Sequence, residues 1–221
     1  MAAVIAGVSL MKTRPLSLLV AAVLLVVTPV APAASFYFTA DAGVLLTDDV
    51  DAVVPQFGPP VATTFNLDPG IRFQVGVGYR LTDWFAVELQ SGAAANNFDG
   101  LAGSGMINQV PILLNGVFRK KFGAFEPFVG AGAGTAASFV AFDNAILTPA
   151  GPVLDGTEVD MVFAWQLYGG LDYRFNKSMA VGLVYRFIAA GDSDWDVSGL
   201  GTIAAEGTTS HTIGAHFSLE F

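Results

Sequence analysis

The sequence predicts an all-β fold, an eight-stranded antiparallel up-and-down transmembrane β-barrel preceded by a cleaved signal peptide. Three observations carry that prediction. Apolar and polar residues alternate with period two in eight separate segments. Mean hydropathy is high, +0.57, yet beyond Val27 no apolar run approaches the roughly 20 residues that a spanning helix needs. The connections between segments alternate between short and long.

The chain opens with residues 1–10, which carry no charge, followed by the basic stretch Met11-Lys12-Thr13-Arg14 and the apolar run Leu16 to Val27. Thr28 to Ala34 then places small residues in an A-x-A arrangement at Ala31 and Ala33. This order predicts a secretory signal peptide over 1–34, cut after Ala33 or Ala34, with Met11 as an alternative start. A single domain over 35–221 follows from it.

Side chains alternate faces along a strand, so each period-two segment has an apolar row and a polar row. The first sets Phe36, Phe38, Ala40, Ala42 and Val44 against Tyr37, Thr39 and Asp41. The second sets Ile71, Phe73, Val75, Val77 and Tyr79 against Arg72, Gln74, Gly76, Gly78 and Arg80. Phe85, Val87 and Leu89 oppose Glu88 and Gln90 in the third. Val110, Ile112, Leu114 and Phe118 oppose Gln109, Asn115 and Arg119 in the fourth.

The fifth sets Phe125, Pro127, Val129, Ala131 and Ala133 against Glu126, Phe128 and a run of glycines. In the sixth, Met161, Phe163, Trp165, Leu167, Leu171 and Tyr173 face away from Gln166, Tyr168, Asp172 and Arg174. The seventh opposes Met179, Val181, Leu183, Tyr185 and Phe187 to Gly182 and Arg186. The eighth is His211 to Phe221, with Ile213, Ala215, Phe217, Leu219 and Phe221 on the apolar row. Pro111 and Pro127 each remove a ladder donor, which weakens the fourth and fifth assignments.

The apolar rows contain no Asp, Glu, Lys or Arg. Lipid explains that exclusion, because Arg or Lys at the bilayer midplane costs roughly 2–4 kcal/mol. A soluble sandwich would put its charges outside and its apolar rows within. Rows rich in Gly, Arg, Glu, Gln and Asn would make a poor dry core, so the apolar rows are expected to face lipid.

Tight turns are expected at Leu81 to Trp84, Lys120 to Gly123 and Asn176 to Ser178. Long Gly/Pro/Asp-rich connections are expected near 47–66, 94–106, 138–158 and 190–210. Aromatics gather at the short-turn ends (Phe36, Tyr79, Trp84, Phe118, Phe125, Tyr173 and Phe221 among them), as an interfacial girdle would. The formal net charge of −9 argues against nucleic acid as a partner. With no cysteine, disulfides and thiolate metal sites are excluded.

The stretches RFQVGVGYRLTDWFAVELQSG, VPILLNGVFRKKFGAFEPFVGAGAG and YGGLDYRFNKSMAVGLVYRF resemble the OmpA-like and opacity-type group of small bacterial outer-membrane β-barrels. The resemblance extends over about residues 35–221 and is specific for fold rather than activity. It implies outer-membrane lipid and lipopolysaccharide as surroundings, periplasmic chaperones and the barrel-assembly machinery as partners, and a monomer. It also implies a periplasmic C-terminus, extracellular long loops, and Phe221 as the terminal aromatic that serves as assembly signal. The sequence stops at Phe221, so the wall-anchoring role of longer, peptidoglycan-binding relatives is not expected.

Eight strands enclose an interior about wide enough for side chains to fill. Arg72, Glu88, Gln90, Asn115, Gln166, Arg186 and His216 are expected to point there as a polar network, paired to offset desolvation. Ten inward glycines (70, 76, 78, 92, 130, 132, 134, 170, 182 and 214) leave room for water, so a narrow conducting path is the rival to a plug.

His216-Phe217-Ser218 has the spacing of the His and Ser of outer-membrane lipid A deacylases, but an inward position near the turn end fits a core histidine better. Omptin-type proteolysis needs a larger barrel and a rim of acids around a histidine, for which His211 is a lone candidate. No catalytic residue and no cofactor is expected. Asp192-x-Asp194-x-Asp196 opens like a calcium loop, but Val197 stands where Gly belongs and Ile203 where the closing Glu belongs. These aspartates are weak metal candidates at most. The expected role is therefore structural, in envelope integrity or in surface interaction through acidic loops. A small-solute channel and an adhesin are the alternatives.

Overall fold

The structure, a computed structural model, describes residues 35–56, 58–100, 103–146, 153–197 and 201–221; the expected signal peptide, 1–34, lies outside the described residues. The described chain forms twelve strands: β1 (Phe36–Thr47), β2 (Val50–Gln56), β3 (Gly58–Leu67), β4 (Gly70–Arg80), β5 (Phe85–Gly100), β6 (Gly103–Arg119), β7 (Phe125–Ile146), β8 (Val153–Arg174), β9 (Met179–Ala190), β10 (Ser193–Val197), β11 (Gly201–Ala205) and β12 (Thr208–Glu220). Eight of them close a barrel. β1 pairs with β4, β4 with β5, and so on through β6, β7, β8 and β9 to β12, which returns antiparallel to β1. The closing register runs from Tyr37↔Glu220 to Thr47↔Ser210, so the last strand finishes beside the first. No helix among the described residues is long and apolar enough to cross a membrane. Closure leaves the membrane strands no open edge, which is what lets strands satisfy every backbone group in lipid.

Three short connections gather at one end. Thr82 Oγ1 accepts from the backbone N–H of Phe85 at 3.0 Å, and Asn176 Oδ1 accepts from Ser178 and Met179 at 2.8 and 2.7 Å. Short polar side chains that hydrogen-bond two or three residues on hold such turns. At the third, Gly123 takes φ +64°, a left-handed conformation that glycine adopts without strain.

The two faces of the wall divide as the alternation requires. Ile71, Phe73 and Val77 of β4 are exposed while Arg72, Gln74 and Arg80 are buried. Leu183 is 70% exposed between the buried Val184 and the inward Gly182 row. Large apolar side chains therefore form the outer surface, and aromatic pairs ring it at the turn end: Phe36 with Tyr79, Trp84 stacked on Phe118, and Phe125 edge-on to Tyr173, with centroids 4.9, 5.5 and 5.6 Å apart. Pro111 and Pro127 sit within β6 and β7 and do not interrupt them, opposite Ala136 and Leu171.

The long connections differ from the expectation of loops. β5, β6, β7 and β8 run on past the barrel as two tall hairpins, and two further hairpins, β2–β3 and β10–β11, rise beside them. These hairpins join the wall. β3 pairs with β5 at Leu67↔Phe98, β11 pairs with β2 at Ala205↔Ala52, and the Asp194 N–H donates to Asp160 of β8 at 2.9 Å. The physical reason is continued period-two alternation: Val50, Ala52 and Val54 turn inward, as does Trp195 between Asp194 and Asp196. Together with Phe65, Phe98, Ile107, Val140, Ile203 and Ala205 they form an apolar core at the hairpin end. Two smaller apolar clusters lie inside the barrel proper, one around Leu113 and Ile188, the other around Tyr37, Phe128 and Tyr168.

Candidate functional site: the barrel interior and the hairpin-end cleft

All seven side chains expected inside, Arg72, Glu88, Gln90, Asn115, Gln166, Arg186 and His216, are buried. Each sits on an inward row set by strand alternation, so the wall rather than any loop positions it. Six of the seven are brought into a common network. Glu88 accepts from the Tyr37 hydroxyl at 2.8 Å, from the Thr39 hydroxyl at 2.9 Å and from Gln90. Gln90 Oε1 accepts from Gln74 at 3.1 Å, Gln166 at 2.6 Å and Arg186 at 2.9 Å. Gln166 also donates to Asn115 at 2.6 Å, and the Arg186 guanidinium lies 4.3 Å from the Tyr168 ring centroid. Such a site can hold the wall together; a charge removed from it would leave its partner uncompensated in low dielectric.

Three carboxylates outside the expected network, Asp41, Asp172 and Glu126, complete the interior from the same inward rows. Asp41 holds both Arg186 and His216, the latter through Nδ1 at 2.5 Å. His216 Nε2 lies 3.5 Å from Asp172, which pairs with Arg119 at 3.3 Å. At the turn end Glu126 receives Arg80 and Arg119 at 2.8 Å each and Arg174 at 2.7 Å; Glu220 takes Arg80, Arg174 and Lys121. The Arg119 guanidinium stands over Tyr37 and Phe128, 5.0 and 5.9 Å from their centroids. Burying this much charge is tolerable because nearly every group has an opposite partner and further hydrogen bonds.

Several inward glycines do not provide room for water. A side chain at Gly78 would meet the Tyr37 ring, one at Gly130 the Tyr168 ring, and one at Gly170 the Phe128 ring. Gly76, Gly132 and Gly182 are occupied in the same way by Glu88, Asn115 and Asp172. Each glycine removes a Cβ so that a large or polar side chain from the next strand can lie flat against its backbone.

His216 and Ser218 are both buried within the wall, and His216 is engaged by two carboxylates. His211 lies outside, its Nδ1 2.8 Å from the Tyr185 hydroxyl. Asp192 and Asp194 line an open cleft of about 610 Å³ at the hairpin end, with Asp51, Thr63, Thr64 and Glu206. The carboxylates at the hairpin end have local work: Asp192 accepts from the Gly207 N–H at 2.8 Å, Asp49 from the Leu67 N–H at 3.0 Å, and Asp51 from the Thr64 hydroxyl at 2.6 Å. No three His, Cys, Asp or Glu side chains converge as a metal site among the described residues; the Asp196 side chain lies outside them.

An eight-stranded closed barrel with an apolar exterior, an aromatic girdle and an ion-paired interior defines a transmembrane β-barrel of the bacterial outer membrane. The chain belongs to the outer membrane protein beta-barrel domain family, whose model matches residues 18–221. No curated protein sequence matches it. Among solved structures it is similar to the outer membrane protein OprG from Pseudomonas aeruginosa, with 15% identity, TM-score 0.57, and coverage of 85% of this chain and 96% of that one. It is similar to Neisserial surface protein A at 16% identity and TM-score 0.53, covering 86% and 100% of the two chains. The outer membrane protease OmpT from Escherichia coli shares 7% identity and TM-score 0.50, over 86% and 99%. At these identities the likeness is one of fold.

Proposed function

We propose that this protein is a structural barrel of the outer membrane, plugged along its axis, whose hairpin end faces the outside of the cell. The observation that carries the reading is the set of buried, mutually bonded side chains on the inward rows. The arginine–carboxylate cluster at the turn end, the Glu88–Gln90–Arg186 network and the apolar core around Trp195 follow one another along the axis. A plugged barrel adds hydrogen-bonded wall to the membrane without opening a path through it. The basic residues Lys120, Lys121 and Lys177 at the turn end, against the acidic cleft at the hairpin end, support a periplasmic C-terminus and extracellular hairpins. In the same orientation Phe221, 78% exposed, serves as the assembly signal read by the barrel-assembly machinery. The folded unit is a monomer in contact with lipid and lipopolysaccharide.

The role is tested in a strain of the parent bacterium lacking the gene. Loss should sensitise the envelope to detergent, and a variant with the β2–β3 and β10–β11 hairpins cut to short turns should restore resistance. Restoration by the full chain alone would assign the role to the hairpin surface. Unchanged detergent resistance in the deletion strain would remove the structural role.

A further inference from the structure

Five arginines lie in the barrel interior, and four of them have carboxylate partners: Arg80 and Arg174 on Glu126 and Glu220, Arg119 on Glu126 and Asp172, and Arg186 on Asp41. Arg72 is the exception. It is 4% exposed, its Nη2 donates to the Ser210 hydroxyl at 2.9 Å, and its Nε–H has no partner. No carboxylate among the described residues pairs with it. A guanidinium carries five N–H donors and does not give up its proton in a protein.

The surroundings sharpen the mismatch. Beyond Asn115, Gln166 and Arg186, the next inward positions on β6, β8 and β9 are Leu113, Ala164 and Ile188, all buried and all in one apolar cluster. On β4 the corresponding step beyond Gln74 is Arg72. The flanking strands offer small or neutral positions, since Arg72 pairs laterally with Gly43 and Ala94. A full positive charge therefore stands where the polar network gives way to apolar packing. An ionisable residue within a membrane span normally has a partner of opposite charge, and an uncompensated buried charge is strongly unfavourable.

We propose that Arg72, with Ser210, forms a binding site for one small monovalent anion of halide type inside the barrel. The Ser210 hydroxyl accepts from Arg72 and retains its own O–H to donate, so an anion beside the Nε–H would receive two hydrogen bonds and offset the charge. A single arginine compensates a single negative charge, which selects a monovalent ion over phosphate or sulfate. A water molecule could satisfy the Nε–H and the unpartnered Oε1 of the neighbouring Gln74, but it would leave the charge in place. The site does not depend on the barrel being plugged or on the role of its hairpins.

The site is tested by refolding the full mature chain into detergent in sodium bromide, removing free salt, and measuring bromine by X-ray fluorescence. A parallel sample is refolded in gluconate, and heat-modifiable gel mobility confirms folding in each. The wild type should retain one bromide per barrel, and its thermal unfolding midpoint should be higher than in gluconate at equal ionic strength. Arg72→Gln should lose both effects; Ser210→Ala should retain less bromide. Arg72→Lys keeps the charge and should keep retention, which covers the case in which Arg72→Gln fails to fold. Wild type without bromide above the buffer blank, or Arg72→Gln retaining as much as wild type, would overturn the site.

Discussion

Asp41 of β1 and Arg186 of β9 pair inside the barrel across β12, and the same carboxylate holds His216 of β12 itself. Three strands are thereby joined where the first and last strands of the barrel meet. Asp41→Ala would leave a guanidinium and an imidazole without their acceptor in a buried place. Removing one member of a buried pair costs about 3–5 kcal/mol. The urea midpoint of the refolded barrel should fall accordingly, and Asp41→Asn should fall by less because it can still accept a hydrogen bond. Equal midpoints for wild type and Asp41→Ala would contradict the clasp.

The outer surface makes a separate prediction. Leu183→Arg places a charge where the side chain is exposed to the membrane, at a cost of roughly 2–4 kcal/mol near the midplane. Insertion into vesicles should be impaired, as measured by the fraction of SDS-resistant folded band. Val184→Arg, one residue along and buried in the interior cluster, should fail through overpacking. Thr202→Arg on the β10–β11 hairpin should insert normally. Normal insertion of Leu183→Arg would place that row away from lipid.

Glycine packing gives the third. Gly78→Val would collide with the Tyr37 ring and Gly130→Val with the Tyr168 ring. Overpacking a close-packed site costs about 1–3 kcal/mol. Ala131→Val, next to Gly130 but on the outward row, should be neutral. Unfolding midpoints distinguish these cases, and tolerance of both glycine substitutions would mean that the rings have room to move.

Trp195 is the test of the hairpin-end core. Its ring is buried among Phe65, Phe98 and Ile203, and its indole N–H donates to the Ser138 carbonyl at 3.2 Å. Trp195→Ala should cost about 3–5 kcal/mol locally. Limited proteolysis should then cut within 190–210 while the membrane strands keep their SDS-resistant mobility. Loss of the whole barrel together with the hairpin would show that the two ends fold as one cooperative unit.

Alternation made much of this legible in the sequence, because period two assigns a face to each residue independently of any partner. Arg72, Glu88 and Gln90 could be placed inside for that reason alone. Height along the axis is a different matter. Which inward residues share a level depends on the stagger between strands, so the meeting of Asp41 with Arg186 and of Glu126 with three arginines had no local signal. The glycines lack a local signal for the same reason: the ring that fills the space at Gly78 or Gly130 belongs to a residue on a neighbouring strand. At the hairpin end the signal was present but outweighed. Val50, Ala52 and Val54 alternate, and Trp195 stands between two aspartates as an inward residue on a strand would. The prolines, glycines and acids around them read as loop, and the Asp-x-Asp-x-Asp spacing read as a departed calcium loop.

Reconstitution of the refolded protein in planar lipid bilayers tests the closed interior most directly. With the arginine–carboxylate cluster, the glutamine network and the Trp195 core all in place, the wild-type barrel should give no discrete current steps above the lipid baseline at any applied voltage the bilayer withstands. Reproducible steps of uniform size from wild-type protein would contradict a plugged barrel and identify the interior as a conducting path.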